Sequence, residues 1–136
     1  MKLIRLILVS LVLIPCLMSC QKISGPKITF ETDDIQFTHE GGSQTVRLLE
    51  GYFSQMEIYQ KTGVGNPDGD NGETYLKMDW IEVNKFESSG STSLKITTDP
   101  NTSGESRSAH IIVYERDRGA YIKVFQDADN NNIAGD

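Results

Sequence analysis

The chain has 136 residues, of which 38% are hydrophobic and 24% charged, with 13 Lys and Arg against 19 Asp and Glu. This length provides one small domain rather than two. The net charge of −6 and the lack of clustered basic residues argue against a nucleic-acid partner, because phosphate binding relies on grouped Lys and Arg side chains.

The first 19 residues have the pattern of a secretion signal. Lys2 and Arg5 precede an apolar run over residues 6–18, which ends at Ser19 and Cys20. The 13 residues of this run are fewer than the roughly 20 that a membrane-spanning helix needs. The sequence therefore predicts a removable signal peptide over residues 1–19.

Cys20 is the predicted lipidation site. The tetrapeptide Leu17-Met18-Ser19-Cys20 resembles a bacterial lipobox, which implies cleavage before the cysteine and acylation of it; the alternative is an ordinary signal peptide cut nearby. Cleavage there leaves 117 residues with 11 basic and 19 acidic side chains, a net charge of −8, and no free thiol or disulfide. Acyl chains would hold the protein on a membrane, whereas its acidity discourages docking on anionic lipids.

The mature chain begins with a short tether and continues as a single β-rich domain. Residues 20–27 are too short and polar to pack, and we expect the domain to span residues 28–127. Alternating apolar residues predict two short strands within residues 28–37. A Gly41-Gly42 turn leads into another strand over residues 44–49, and a further strand follows at residues 56–59.

The middle of the domain contains a long polar segment. Residues 61–74 hold four glycines and one apolar residue, so we expect a loop through which no strand or helix propagates. Strand character returns over residues 75–84, where Asp79 marks an expected turn or bulge. We expect Trp80 to pack between the sheets, because a β-sandwich commonly buries its single tryptophan there.

The clearest strands are the last two. Apolar and polar residues alternate over residues 109–114 and 120–125, with residues 115–119 as the connecting hairpin turn. The acidic and Asn-rich residues 128–136 predict a disordered tail. With no sustained helical period, seven or eight short strands predict an all-β, antiparallel sandwich.

No arrangement of residues points to catalysis or to a metal. His39 falls in a turn and His110 on a strand, and the sequence pairs neither with a nucleophile and an acid. We predict no catalytic residues, no cofactor and no metal site. The acidic residues at 66–77 and from 127 onward depart from a calcium-binding loop, although an adventitious calcium site in the long loop stays open.

The outward side of the last hairpin is the predicted binding surface. If Ile111, Val113, Ile122 and Val124 face the core, the alternate residues face outward. Aromatic rings stack on sugar faces and polar neighbours bond to hydroxyl groups, so such a strip suits a glycan or a protein. The alternative is that some of these residues cover the sheet edge beneath the long loop. The predicted ligand-binding residues are His110, Tyr114, Tyr121, Lys123 and Phe125, with Ile112 beside them.

Four motifs along the chain resemble the BACON domain, a Bacteroidetes-associated, carbohydrate-binding and often N-terminal family. They are the Gly41-Gly42 turn, the Asp79-Trp80-Ile81 strand, the segment from Asn101 to Arg107 and the closing Val124-Phe125-Gln126. The resemblance covers residues 28–127 and implies an immunoglobulin-like sandwich in which Arg107 braces the preceding loop. The chain departs from the family in lacking a tryptophan at residues 56–59 and in carrying residues 61–74, which look like an insertion.

Together these features predict a lipid-anchored, non-catalytic module of the bacterial cell envelope. The resemblance implies weak binding of a glycan or mucin. The alternative is a structural spacer or a protein-interaction subunit that docks an envelope protein partner through the same face. We expect an outer-membrane lipoprotein. No acidic run follows Cys20 to indicate surface export, and the side of the membrane stays open.

Overall fold

The computed structural model describes residues 25–60, 63–65, 68–69 and 73–130 of the chain. These residues form eleven strands and no α-helix. The strands are β1 (Thr29–Phe30), β2 (Asp34–Phe37), β3 (Gly42–Glu50), β4 (Gln55–Gln60), β5 (Gly63–Gly65), β6 (Asp68–Gly69), β7 (Tyr75–Met78), β8 (Ile81–Ser88), β9 (Ser91–Thr98), β10 (Arg107–Glu115) and β11 (Arg118–Gln126).

The strands form two sheets whose order is that of an immunoglobulin-like sandwich. The first sheet has the order β1-β3-β9-β8-β7-β6, and the second has the order β2-β11-β10-β4-β5. The β1-β3-β9-β8 and β11-β10-β4 groups correspond to the two sheets of the immunoglobulin fold. All pairs are antiparallel except β2 with β11. The predicted all-β sandwich is confirmed, with additional strands of two to four residues at its edges.

The core lies between the sheets and follows the predicted alternation. Side chains of β8 and β9 in the first sheet meet those of β4, β10 and β11 in the second. The ring of Trp80 is 9% exposed and belongs to this core, as predicted. Six of the fully buried side chains are Ile58, Ile81, Leu94, Ile96, Ile111 and Ile122.

The segment 61–74 differs from its prediction as an unbroken loop. Its described residues include β5, which pairs with β4 of the second sheet, and β6, which pairs with β7 of the first. Apolar periodicity missed both strands because backbone hydrogen bonds to an open sheet edge require no apolar side chain.

Two tight turns set the strand boundaries in the C-terminal half. Asp79, with φ of 49°, and Trp80 connect β7 to β8, which confirms the turn expected at Asp79 and divides residues 75–84 into two strands. Arg116, with φ of 55°, and Asp117 connect β10 to β11. This hairpin turn is shorter than the predicted residues 115–119, because Glu115 and Arg118 still pair in register.

A buried polar network closes the sandwich at the end where β11 finishes. Gln126 is fully buried, and its Nε2 donates to the backbone oxygen of Asp99 at 2.9 Å. Arg107 Nε donates to Gln126 Oε1 at 2.9 Å, and its Nη2 donates to the oxygen of Asp99 at 2.9 Å. Asn101 Nδ2 donates to the backbone oxygens of Glu105 and Asp127, both at 2.8 Å. The predicted bracing of this loop by Arg107 is confirmed.

Several predicted features lie outside the described residues. These are the signal peptide, Cys20, and the part of the predicted 128–136 tail after residue 130. The first residues of that tail are described and contact the domain, since Asp129 N donates to the backbone oxygen of Ser103 at 3.1 Å. At the start of the described chain, Arg118 Nη1 donates to the backbone oxygen of Pro26 at 2.9 Å, so the end of the predicted tether contacts the domain. Where the chain is described, none of it forms a helix with the length and apolar character to cross a bilayer.

Candidate functional site

The candidate site lies on the outward face of the second sheet. Ile111 and Val113 of β10 and Ile122 and Val124 of β11 are fully buried, so the predicted facing of the last hairpin is confirmed. The residues between them are directed away from the core because side chains alternate along a strand. Tyr121, for example, is 59% exposed.

Strand register aligns four chemically different side chains in a row across this face. Asp34 of β2 pairs with Lys123 of β11, which pairs with His110 of β10, which in turn pairs with Tyr59 of β4. Neighbouring strands are about 4.8 Å apart, so the row spans about 14 Å. It presents an acid, an ammonium, an imidazole and a phenol ring in that order.

Tyr121 completes a shallow depression over this row. Its ring lies edge-on to the ring of His110, with centroids 6.0 Å apart and planes inclined by 70°. The depression has a volume of about 620 Å³, and Ile112 contributes to its floor. Tyr59, which is 46% exposed, is the second aromatic ring of the lining. Two exposed rings therefore line an open site rather than a closed cavity.

The charged groups of the depression are available to a ligand. Asp33 and Asp34 contribute carboxylates and Lys123 contributes its ammonium group. Within the described part of the chain, none of these three side chains makes a hydrogen bond or ion pair. Carboxylates accept hydrogen bonds from hydroxyl groups, and an ammonium group donates to their oxygens. The depression thus combines apolar ring surface with unused hydrogen-bonding capacity.

Two predicted site residues lie outside the depression. Phe125 is half-buried and borders a neighbouring hollow together with Gln36. Tyr114 Oη donates to Glu57 Oε1 at 2.8 Å. The structure therefore brings together His110, Tyr121 and Lys123 of the predicted set.

The Tyr114 contact makes a pH-dependent contribution to stability. The hydrogen bond to Glu57 raises the pKa of Tyr114 above its ordinary value of 10.0, and burial and the negative charge of Glu57 add to the rise in pKa. Because the folded state favours the neutral phenol, this contribution is complete below about pH 10 and is lost as the pH rises through the higher folded-state pKa.

We expect the unfolding free energy of the native protein to fall more steeply above pH 10 than that of Glu57→Gln. Urea denaturation at a series of alkaline pH values measures the difference, and Tyr114→Phe should remove this contribution. Superimposable pH profiles for all three proteins would contradict the assignment.

Among the aromatic and charged residues that line the depression, sequence analysis missed Tyr59, Asp33 and Asp34. The outward direction of Tyr59 could be read from the alternation with Met56 and Ile58, which are both buried. The position of Tyr59 beside His110 could not be predicted from the sequence, because it depends on the pairing of β4 with β10. The two aspartates reach the site through the parallel pairing of β2 with β11.

The other histidine is far from this site. His39 Nε2 lies 4.0 Å from Asp129 Oδ1, at the end of the sandwich that holds Gln126. Ser103 Oγ, in the loop beside them, donates to Asn101 Oδ1 at 2.7 Å. Among the residues that the structure describes, no three His, Cys, Asp or Glu side chains are grouped as a metal site.

Comparison with protein families finds a match to the C-terminal part of the domain. Residues 69–127 match the family model BACON, described as "Putative binding domain, N-terminal". This match confirms the predicted resemblance over residues 69–127, which hold three of the four motifs and also His110, Tyr121 and Lys123. Among proteins with curated descriptions, none matches the chain.

Several solved structures are similar to the chain at low sequence identity. A protein from Bacteroides thetaiotaomicron, determined by NMR, is 16% identical with a TM-score of 0.56, over 77% of this chain and 90% of that chain. Titin domain M4 is 13% identical with a TM-score of 0.42, over 76% of this chain and 94% of that chain. Titin domain M7 is 10% identical with a TM-score of 0.41, over 74% and 90%.

Proposed function

Residues 69–127 match the BACON family, and from that premise we propose that the protein is a non-catalytic cell-envelope module that binds carbohydrate. The binding surface is the depression between Tyr59 and Tyr121 on the second sheet. The single observation that carries this proposal is the pairing of two exposed rings with acidic and basic groups that have no protein partner within the described chain.

The chemistry of a sugar matches this surface. A pyranose ring has an apolar face, which packs on a tyrosine ring, and a rim of hydroxyl groups that both donate and accept hydrogen bonds. The carboxylates of Asp33 and Asp34 accept from those hydroxyls, and Lys123 donates to them. An open depression of about 620 Å³ accommodates part of a long chain rather than enclosing a whole ligand. These features support weak binding of a polysaccharide or mucin glycan.

The proposal includes a lipid anchor at Cys20 and an outer-membrane location. Its support is the sequence alone, namely the apolar run at residues 6–18 that ends in Leu17-Met18-Ser19-Cys20. Acylation is tested by expressing the full chain in a bacterial host and measuring the mass of the membrane-bound product. A product that begins at Cys20 and carries acyl chains is the expected result, and Cys20→Ala should leave the precursor uncleaved.

Carbohydrate binding is tested with a soluble chain that begins at Lys22. We expect it to bind members of an array of mucin glycans and plant polysaccharides, and we expect Tyr59→Ala plus Tyr121→Ala to weaken binding at least about tenfold, a change of about 1.4 kcal/mol. Calorimetric titration with the strongest glycan of the array measures the loss. Both rings are outward, so the double variant should unfold at nearly the native temperature.

Tyr52→Ala is the matched control for this experiment. Tyr52 is exposed to a similar extent, 54%, but does not line the depression. Its removal should leave glycan affinity unchanged. Equal loss of binding in both proteins would contradict the site. No binding across the array would contradict the carbohydrate proposal and favour docking of an envelope protein on this face.

A further inference from the structure

A second exposed surface lies at the end of the sandwich where the described chain begins. Leu49, near the end of β3, is 56% exposed, and Tyr52, in the loop that leads to β4, is 54% exposed. The two residues are hereafter the Leu49–Tyr52 patch. The candidate glycan site does not include them, so their exposure has no explanation in the proposed function.

The N-terminal segment is held beside this patch. The guanidinium carbon of Arg118 lies 5.7 Å from the ring centroid of Tyr52, and the same side chain donates to the backbone oxygen of Pro26. At Gly51, with φ of 83°, a Cβ atom would lie 2.6 Å from the backbone oxygen of Lys27. The patch and the start of the domain therefore pack together through Arg118 and Gly51.

The distance to the proposed anchor is short. Gly25 is five positions after Cys20, so the connection reaches at most about 17 Å even when fully extended. A lipid on Cys20 therefore keeps this end of the domain next to the bilayer. Such tethering raises the local concentration of the surface, so that even a weak contact becomes populated.

The chemistry of the patch fits the interface of a bilayer without net charge. Tyrosine is favoured at the level of the lipid headgroups, where its ring is apolar and its hydroxyl remains hydrated. Charged residues of both signs adjoin the patch along the chain or by contact, so strong attraction to anionic lipid is not expected. They are Lys27, Lys85, Arg116 and Arg118 together with Glu50, Glu115 and Asp117.

We propose that the Leu49–Tyr52 patch contacts the surface of the membrane that anchors the protein, and so fixes the orientation of the domain. This proposal rests on the lipid anchor of the proposed function. With this end against the bilayer, the closing network around Gln126 is distal, because β11 runs from Arg118 beside the patch to Gln126 at the other end. The glycan site then lies on the side of the anchored domain.

The acylated full-length protein in phosphatidylcholine vesicles tests this orientation. Once residues 1–19 are removed and Cys20 is acylated, an introduced cysteine is the only free thiol. We expect an environment-sensitive fluorophore on Tyr52→Cys to shift its emission to the blue and to be quenched severalfold more strongly by brominated lipid than the same fluorophore on Gly104→Cys. Gly104 is a suitable control because it lies in the loop before β10, at the opposite end, where an added Cβ atom would meet nothing within 4 Å.

A second variant separates the protein surface from the fluorophore. Leu49→Ser should reduce quenching at position 52 if the patch makes the contact, and leave it unchanged if the fluorophore inserts by itself. Equal quenching at positions 52 and 104, or no effect of Leu49→Ser, would overturn the proposal. Protein that does not float with the vesicles would overturn the anchor and this inference together. Glycan binding is measured on the soluble chain, so its failure is recorded separately.

Discussion

Replacing Trp80 by alanine should lower the unfolding free energy by about 3–5 kcal/mol, the usual cost of removing a large aromatic side chain from a core. The ring is 9% exposed and packs within the core cluster. Its other face is covered by Arg107, whose guanidinium carbon lies 4.5 Å from the ring centroid. The substitution therefore leaves a cavity and removes the support of the side chain that braces the loop after β9.

Urea denaturation followed by far-UV circular dichroism measures this loss. Fluorescence is unsuitable for the comparison because Trp80 is the only tryptophan of the chain. Trp80→Phe is the matched control, since it retains an aromatic face for Arg107 and should cost less than half as much as alanine. A change below about 1 kcal/mol for Trp80→Ala would show that the ring is not part of the core.

Replacing Gln126 by leucine should lower the unfolding free energy by about 2–3 kcal/mol, because each buried hydrogen bond contributes about 1 kcal/mol. Nε2 of this residue shares its two hydrogens among the backbone oxygens of Thr38, His39 and Asp99, and its Oε1 accepts from Arg107. The expected loss of unfolding free energy is smaller than that of four full hydrogen bonds, because each of these carbonyl groups retains another donor. Those donors are Gly41 N, Asn101 N and Arg107 Nη2.

Thr98→Val provides the matched control for this experiment. Thr98 is 3% exposed, and its Oγ1 is the one buried side-chain polar atom of the described residues that has no hydrogen-bond partner. Exchanging an unbonded hydroxyl for a methyl group should be neutral or stabilising. Thermal and urea denaturation of Gln126→Leu and Thr98→Val measure the two changes in stability. Equal destabilisation by the two changes would mean that volume, and not hydrogen bonding, decides stability at this end.

These two expectations assign a structural role to four of the residues that carry the resemblance to the BACON domain. Trp80, Asn101, Arg107 and Gln126 bond to or cover one another and the backbone at one end of the sandwich. The proposed ligand contacts lie instead on the flat outward face, at Tyr59 and Tyr121. In this chain the residues of the resemblance therefore stabilise the end of the sandwich, and the proposed ligand contacts lie elsewhere.

The alternation of apolar and polar residues was sufficient to predict the strands that make up the core. The alternation around Ile111 and Ile122 correctly predicted which faces are buried, because one side of each strand must leave water. The same alternation could not predict β5 and β6, because these strands form by backbone pairing at the sheet edges and have no alternating apolar residues. It also placed Tyr114 in the binding set, although the side chain bonds to Glu57 on the neighbouring strand.

The sequence by itself determined the all-β class, the inward and outward faces of the last hairpin and the burial of Trp80, since each follows from hydrophobic periodicity or from the size of one side chain. Only the tertiary structure decided which outward residues meet. Asp34, Tyr59 and Tyr121 are far apart along the chain, and they converge because β2 and β4 pair with opposite edges of the final hairpin. Strand order and register arise from the closure of the whole sandwich, so no local pattern contains them.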